Sequence, residues 1–285
     1  TYSTKEYTNP NEDLFYIAQL GFTLQYPALL APLSPSDSEI VISQKIRLVS
    51  AYIDILLARR LWCWRSISYS TFQYNIFLLL KDIRRQTPES IQEILLKRLE
   101  DPETGSFSGN NEFGMHKMNR YMVHRILARL TVALECGSKY PDHYLVYINK
   151  KSDPKNPFEV EHIWADKPDQ HAVDYPQSID FQNARNRIGS LLLLPKKFNA
   201  SYNDKPYEKK VDPYFHQNLL AASLSEEAYK NDTGFMQFIE KTGLPFKPYA
   251  HFDKTAQEEH QQLYIQLAEY TWRPERLREI IESPK

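Results

Sequence analysis

The sequence predicts a mainly α-helical protein with a small α+β part, and three observations predict it. Apolar residues recur at helical spacing in the first half, as at Ile46, Val49, Ile53, Leu56, Leu57 and Leu61. Two short stretches, Phe158–Trp164 and the leucine run ended by Pro195, carry strand patterns instead. The polar, lysine-rich segment that follows the second of these reads as a helix. The expected organisation is a helical domain over 1–137, then a domain over 138–285 in which a strand–strand–helix core is embedded in further helices.

At 285 residues, with 42% hydrophobic and 13% aromatic content, the chain can build two cores. A formal net charge of -1 excludes a global pull toward nucleic acid, so any DNA contact must come from local basic patches. The two cysteines, Cys63 and Cys136, lie too far apart for zinc-type spacing, and free thiols in a reducing cytoplasm are expected. No apolar run approaches the roughly 18 to 20 residues of a membrane span, and no signal peptide is visible. A start at Thr1 suggests a fragment or processed product.

In chain order, Pro10-Asn11-Glu12-Asp13 precedes an apolar turn over 14–20 that Gly21 can end. Pro27, Pro32 and Pro35 break the next stretch, and Ser36-Asp37-Ser38-Glu39 introduces the long helix whose apolar face is given above. Ile76 to Ile83 and Ile91 to Leu99 give two more helices, the second begun by Thr87-Pro88-Glu89, a cap residue followed by proline at the first helical position. The segment 101–112 is rich in Gly, Ser, Asn and Asp and reads as a loop.

A helix is expected from Phe113 to Cys136, with Met118, Met122, Ile126, Leu130 and Leu134 on one face. His116, Lys117, Arg120, His124, Arg125 and Arg129 surround it. They form either a solvated face or a stripe that contacts phosphates. His116, Arg120 and His124 have no carboxylate among them and do not read as a metal site. Tyr144–Ile148 reads as a strand, and the polar interval 165–183 as a long loop. Tyr214 to Tyr229, Thr233 to Lys241 and Glu258 to Tyr270 read as helices, with Trp272 and Arg273 following as core packing.

The candidate chemistry lies between Phe158 and Lys210. Phe158-Glu159-Val160-Glu161-His162-Ile163 suits a short strand with one buried face, so Glu161 and His162 project to opposite sides. Ile188-Gly189-Ser190 leads into four leucines and Pro195, a strand buried on both faces. Lys196-Lys197-Phe198-Asn199 and Asn203 follow, then Lys209 and Lys210.

Glu161-His162-Ile163, Ile188-Gly189-Ser190-Leu191, Asn199, Asn203 and Lys209 together resemble the HNH nuclease domain at the C-terminus of GmrSD-type modification-dependent restriction endonucleases. Ala58-Arg59-Arg60-Leu61 resembles a double-arginine helix in the helical region of the same proteins. The resemblance implies a ββα-metal core with His162, Asn199 and Lys209 as catalytic residues, His162 being the general base. It implies Glu161 and Asn199 as ligands of one divalent ion, Mg²⁺ or Mn²⁺. Lys196, Lys197, Lys209 and Lys210, with Arg125 and Arg129, are the candidate DNA contacts.

The family usually has Gly-Asn-Leu where this chain has Gly189-Ser190-Leu191. The loop-steadying task of that asparagine therefore falls to Ser190, to Asn186 or to neither, with Asn203 as further loop support. Implied partners are DNA and an N-terminal nucleotide-binding half lying outside this segment. The implied function is a metal-dependent endonuclease acting as effector in phage defence or modification-dependent restriction. A catalytically weak DNA-binding module and a helical scaffold remain as alternatives.

Overall fold

The computed structural model describes residues 11–149, 153–202 and 204–282. Its helices are α1 (Glu12–Gln19), α2 (Gln25–Leu30), α3 (Glu39–Trp62), α4 (Tyr69–Ile83), α5 (Pro88–Leu99), α6 (Arg120–Gly137), α7 (Tyr144–Ile148) and α8 (Ser178–Asn186). They continue with α9 (Lys196–Tyr202), α10 (Val211–Phe215), α11 (Leu219–Ala222), α12 (Ala228–Asn231), α13 (Thr233–Thr242), α14 (Lys254–Thr271) and α15 (Glu275–Glu282). Two strands, β1 (Phe158–His162) and β2 (Leu191–Pro195), form one small sheet. The chain is mainly helical with a minor α+β part, as the sequence predicts.

Packing divides the chain into two compact units, one running to Asn110 and including the residues from Trp272 onward, the other spanning Asn111–Thr271. In the first, every residue of α3 from Leu48 to Arg59 is buried, which makes this helix the axis of the unit. Helices α1, α2, α5 and α15 pack around it. Ser38 caps it by accepting from the Val41 amide, and Thr87 caps α5 in the same way with Pro88 behind it. Buried Asp54 accepts from the Trp272 indole at 3.0 Å and from Arg276 at 3.3 Å, while the Trp272 ring stacks on Phe107. In the double-arginine segment, Arg59 donates to the Leu99 carbonyl at 2.9 Å and Arg60 lies over the Phe72 ring.

In the second unit, β1 and β2 pair antiparallel with Phe158 opposite Pro195 and His162 opposite Leu191. Leu191 to Leu194 are all essentially inaccessible, as a two-sided buried strand requires. Helix α9 packs on both strands, completing the strand–strand–helix unit. Beneath it lies a core of Ile163, Trp164, Phe181, Leu192, Leu194, Tyr214 and Phe252. Helices α6 and α14 pack on one another in this unit. The division thus places α6 with the sheet and α15 with α3, whereas the sequence patterns suggested one cut after Gly137.

Four local expectations are corrected. Tyr144–Ile148 is a helix, because Tyr144, Tyr147 and Ile148 are buried while Val146 is exposed, a helical period that so short an apolar run hides. The interval 165–183 is not a long loop, since α8 begins inside it and Phe181 and Ala184 anchor that helix to the core. The segment 214–229 is split into short helices, with a new start where Asn218 accepts from the Ala221 amide.

Finally, α6 begins at Arg120 rather than Phe113 because the preceding backbone is taken by a different partner. The Met115 amide donates to the Asn186 carbonyl at 2.7 Å and the Ile188 amide to the Phe113 carbonyl at 2.9 Å. A Cβ on Gly114 would stand 2.3 Å from the Asn186 carbonyl oxygen, so only glycine permits this approach. Gly114→Ala is therefore expected to destabilise by about 1–3 kcal/mol, as overpacking does. Urea unfolding checks this, and an unchanged midpoint would show that the backbone can part without penalty.

Candidate active site

His162 ends β1, half-buried. Its Nε2 lies 3.0 Å from Asn186 Oδ1, and the Asn186 amide nitrogen donates to the Gln182 carbonyl at 2.8 Å, which fixes the orientation of the amide. An amide oxygen only accepts, so Nε2 carries the proton and Nδ1 is the basic nitrogen of the neutral ring. Burial, joined by the Arg185 charge, pushes the imidazole down to about 4, against the stabilising Asn186 bond. The ring is therefore neutral at neutral pH, with Nδ1 unprotonated, and the lowered value makes it a weaker base than a free imidazole.

Glu161 points to the other side of the strand, as alternation demands. It is buried, and its Oε1 accepts from Lys210 Nζ at 2.7 Å, while Lys210 also donates to the His162 carbonyl at 3.0 Å. Lys210 is wholly buried. Burial pushes the Glu161 carboxyl up and the Lys210 ammonium down, and each opposes the other's shift through their mutual attraction. The pair ties the end of β1 to the turn before α10. It also withholds Lys210 from solvent, so the phosphate contact expected of it is not available in this arrangement.

Asn199 stands on α9, and its Oδ1 is buried with no hydrogen-bond partner. Lys196, Lys197 and Lys209 are exposed. Arg125 is half-buried with its guanidinium stacked on Tyr121, whereas Arg129 is buried in the body of α6 and is not a surface cation. Asn203 lies outside the described residues. Of the two substitutes for the loop asparagine, Ser190 is fully buried and donates to the Ala184 carbonyl at 2.8 Å, while Asn186 meets the imidazole.

The divalent ion implied by the resemblance needs oxygen donors. The orphaned Asn199 oxygen suits that task. The Glu161 carboxylate is already balanced by Lys210, so its fit depends on that ammonium moving. Among the described residues, no group of three or more His, Cys, Asp or Glu side chains is placed to hold a metal.

Sequence reasoning missed the residues that hold the loop before β2. Gly189 is gripped by α14 at both ends of its peptide units: its amide donates to Gln261 Oε1 at 2.7 Å and its carbonyl accepts from His260 Nδ1 at 2.6 Å. Tyr264 then donates to the Leu191 carbonyl at 3.0 Å. A Cβ on Gly189 would stand 2.5 Å from the Gln261 backbone, so this glycine allows helix and loop to touch. The available signal was His260, Gln261 and Tyr264 on a single helical face, polar groups that a surface reading assigns to solvent.

His260 is completely buried, and burial pushes it down to about 4 from an ordinary 6.5. A depressed folded-state pKa gives stability that is present above pH 6.5 and lost as pH falls toward 4. The expected loss from this residue is on the order of 3 kcal/mol. His260→Asn keeps an amide donor without a titrating ring and should flatten that part of the curve, as urea unfolding at a series of pH values would show. Parallel curves for the two proteins would contradict the assignment.

Comparison with protein families gives one match over about two thirds of the chain: the GmrSD restriction endonuclease C-terminal domain, over residues 73–267. The matched segment contains His162, Asn186, Asn199 and the Gly189 loop. Searches of curated proteins and of solved structures find no significant match.

Proposed function

The chain belongs to the GmrSD restriction endonuclease family, matched through its C-terminal domain, and from this we propose that it hydrolyses DNA phosphodiester bonds as an HNH-type endonuclease with His162 as general base. The observation that carries the reading is the His162–Asn186 pair, which fixes a neutral tautomer with Nδ1 as acceptor at the end of β1. Water gives its proton to Nδ1 as its oxygen bonds to phosphorus. The P–O3′ bond breaks on the opposite side, and the departing oxygen takes up a proton from solvent. General-base assistance of this kind contributes about 10²- to 10⁴-fold.

Exposed Lys196, Lys197 and Lys209 are assigned to DNA phosphates, which position the duplex without reading its sequence. Asn199 would hold one Mg²⁺ or Mn²⁺, joined by Glu161 if Lys210 releases it. When bound, the ion supplies electrostatic stabilisation of the charge that develops on the phosphate. Choice of target DNA in a phage-defence or modification-dependent setting is assigned to the N-terminal nucleotide-binding half of such proteins. The Glu161–Lys210 pair favours a second reading, a DNA-binding module with weak catalysis, because it occupies a carboxylate that the first reading can use.

Incubating supercoiled plasmid with the chain and Mn²⁺ or Mg²⁺ separates these readings: nicking that chelator abolishes supports the first, and binding without cutting the second. His162→Ala is expected to lower cleavage about 10²- to 10⁴-fold, and Asn186→Ala about 10²-fold through loss of ring position. Wild-type rates in the first variant would remove His162 from the chemistry.

The metal assignment has a separate readout in calorimetric titration with Mn²⁺. Asn199→Ala should weaken Mn²⁺ binding while leaving thermal stability almost unchanged. Glu161→Ala should instead destabilise the fold by about 3–5 kcal/mol, because it strands a buried ammonium. Equal Mn²⁺ affinity in Asn199→Ala and the wild type would show that Asn199 is not a ligand.

A further inference from the structure

The mechanism above leaves unused a cavity of about 710 Å³ between the first turns of α6 and β1. Its size falls within the roughly 300–1,000 Å³ range of small-ligand sites. Arg120, Tyr121 and Arg125 line it from α6, Phe158 and Val160 from β1, and Asn149 from the end of α7. Val160 precedes His162 by two residues and therefore lies on the same strand face. Arg120 is close enough for its charge to act on the His162 ring. The cavity thus adjoins the proposed base.

Its chemistry has two parts. The arginines supply positive charge, and the Arg125 guanidinium sits 3.6 Å from the Tyr121 ring centroid, covering one face of that ring. Tyr121 nevertheless remains 50% exposed, so aromatic surface is still offered to a ligand. The Arg125 Nη1 lies 3.4 Å from His124 Nδ1, and its Nε is buried without a hydrogen-bond partner. Phe158 and Val160 add apolar wall, from which a phosphate alone gains nothing, whereas a nucleobase has both a face to stack and an edge that Glu159 can meet.

We propose that this cavity takes an unstacked nucleotide from the DNA strand flanking the scissile phosphate, its base against Tyr121 and its phosphate beside Arg120 and Arg125. The proposal rests on the nuclease reading of His162. A base inside a duplex has both faces covered, so entry requires extrusion. Extrusion is easiest where pairing is already broken.

The test uses the full chain carrying His162→Ala and two short fluorescein-labelled duplexes, one fully paired and one with a single-nucleotide bulge, read by fluorescence anisotropy. The bulged duplex is expected to bind about 10-fold tighter or more, because part of the unstacking is already done. Adding Tyr121→Ala should weaken binding to the bulged duplex by about 5- to 150-fold, the range of base–aromatic stacking, and remove the preference. Tyr121→Phe should keep it. Equal affinity of the parent for the two duplexes, a preference that survives Tyr121→Ala, or its loss in Tyr121→Phe overturns the proposal. Plasmid cutting by the wild-type chain separates the causes: cutting without discrimination removes only this subsite, whereas neither cutting nor binding removes the nuclease reading and the subsite with it.

Discussion

The position of the imidazole depends on how the Gly189 peptide is held. Its amide and carbonyl are both spent on α14, which fixes the loop before β2. That loop sets the pairing of β2 with β1, and the Ser190 carbonyl accepts from the Ile163 amide at 2.9 Å just beyond His162. A slip by one residue would send His162 to the buried side and Glu161 to the open one. The clamp is made of side chains with fixed hydrogen-bond partners, so it specifies register more sharply than the uniform leucines of β2 can.

With register fixed, alternation along β1 separates two kinds of chemistry. On the inward side, Glu161 and Lys210 form a buried ion pair, an arrangement whose net stabilisation is modest but whose disruption is expensive. On the other side, His162 meets Asn186. The chain segment over 113–115 crosses close to Asn186, and the bulk-free Gly114 makes that contact. Three remote segments therefore converge on one ring: α14 through Gly189, the α6 approach through Asn186, and the turn before α10 through Lys210.

Much of this was legible in the sequence, for physical reasons that differ by element. The long apolar period of α3, the Thr87-Pro88 start of α5 and the four leucines of β2 are local signals, and each element formed where its pattern placed it. The expected separation of Glu161 and His162 followed from strand alternation alone. Tyr144–Ile148 failed because five apolar residues fit a strand or one buried helical turn equally well. The start of α6 failed because Gly114 serves a contact 72 residues away in sequence, with Asn186, that no local pattern encodes. His260 and Gln261 were missed for a related reason: a polar side chain whose partner is a distant backbone group looks like one whose partner is water.

The positive charges around the site serve two requirements that are physically one. Burial first, and then the charges of Arg185 and Arg120, disfavour the protonated imidazole and keep His162 neutral. The same field attracts a phosphodiester, and Arg120 also faces the cavity beside β1. Arg185 is anchored by its bond to the Trp164 carbonyl at 3.1 Å, so its charge is fixed in position, while Arg120 is exposed and more strongly screened by salt. A phosphate entering this field offsets part of the repulsion felt by an imidazolium, so the ring is held neutral most firmly before DNA arrives. In the proposed mechanism, binding of the anion and acceptance of the proton would be coupled through the arginines, so neutralising either arginine would alter both together.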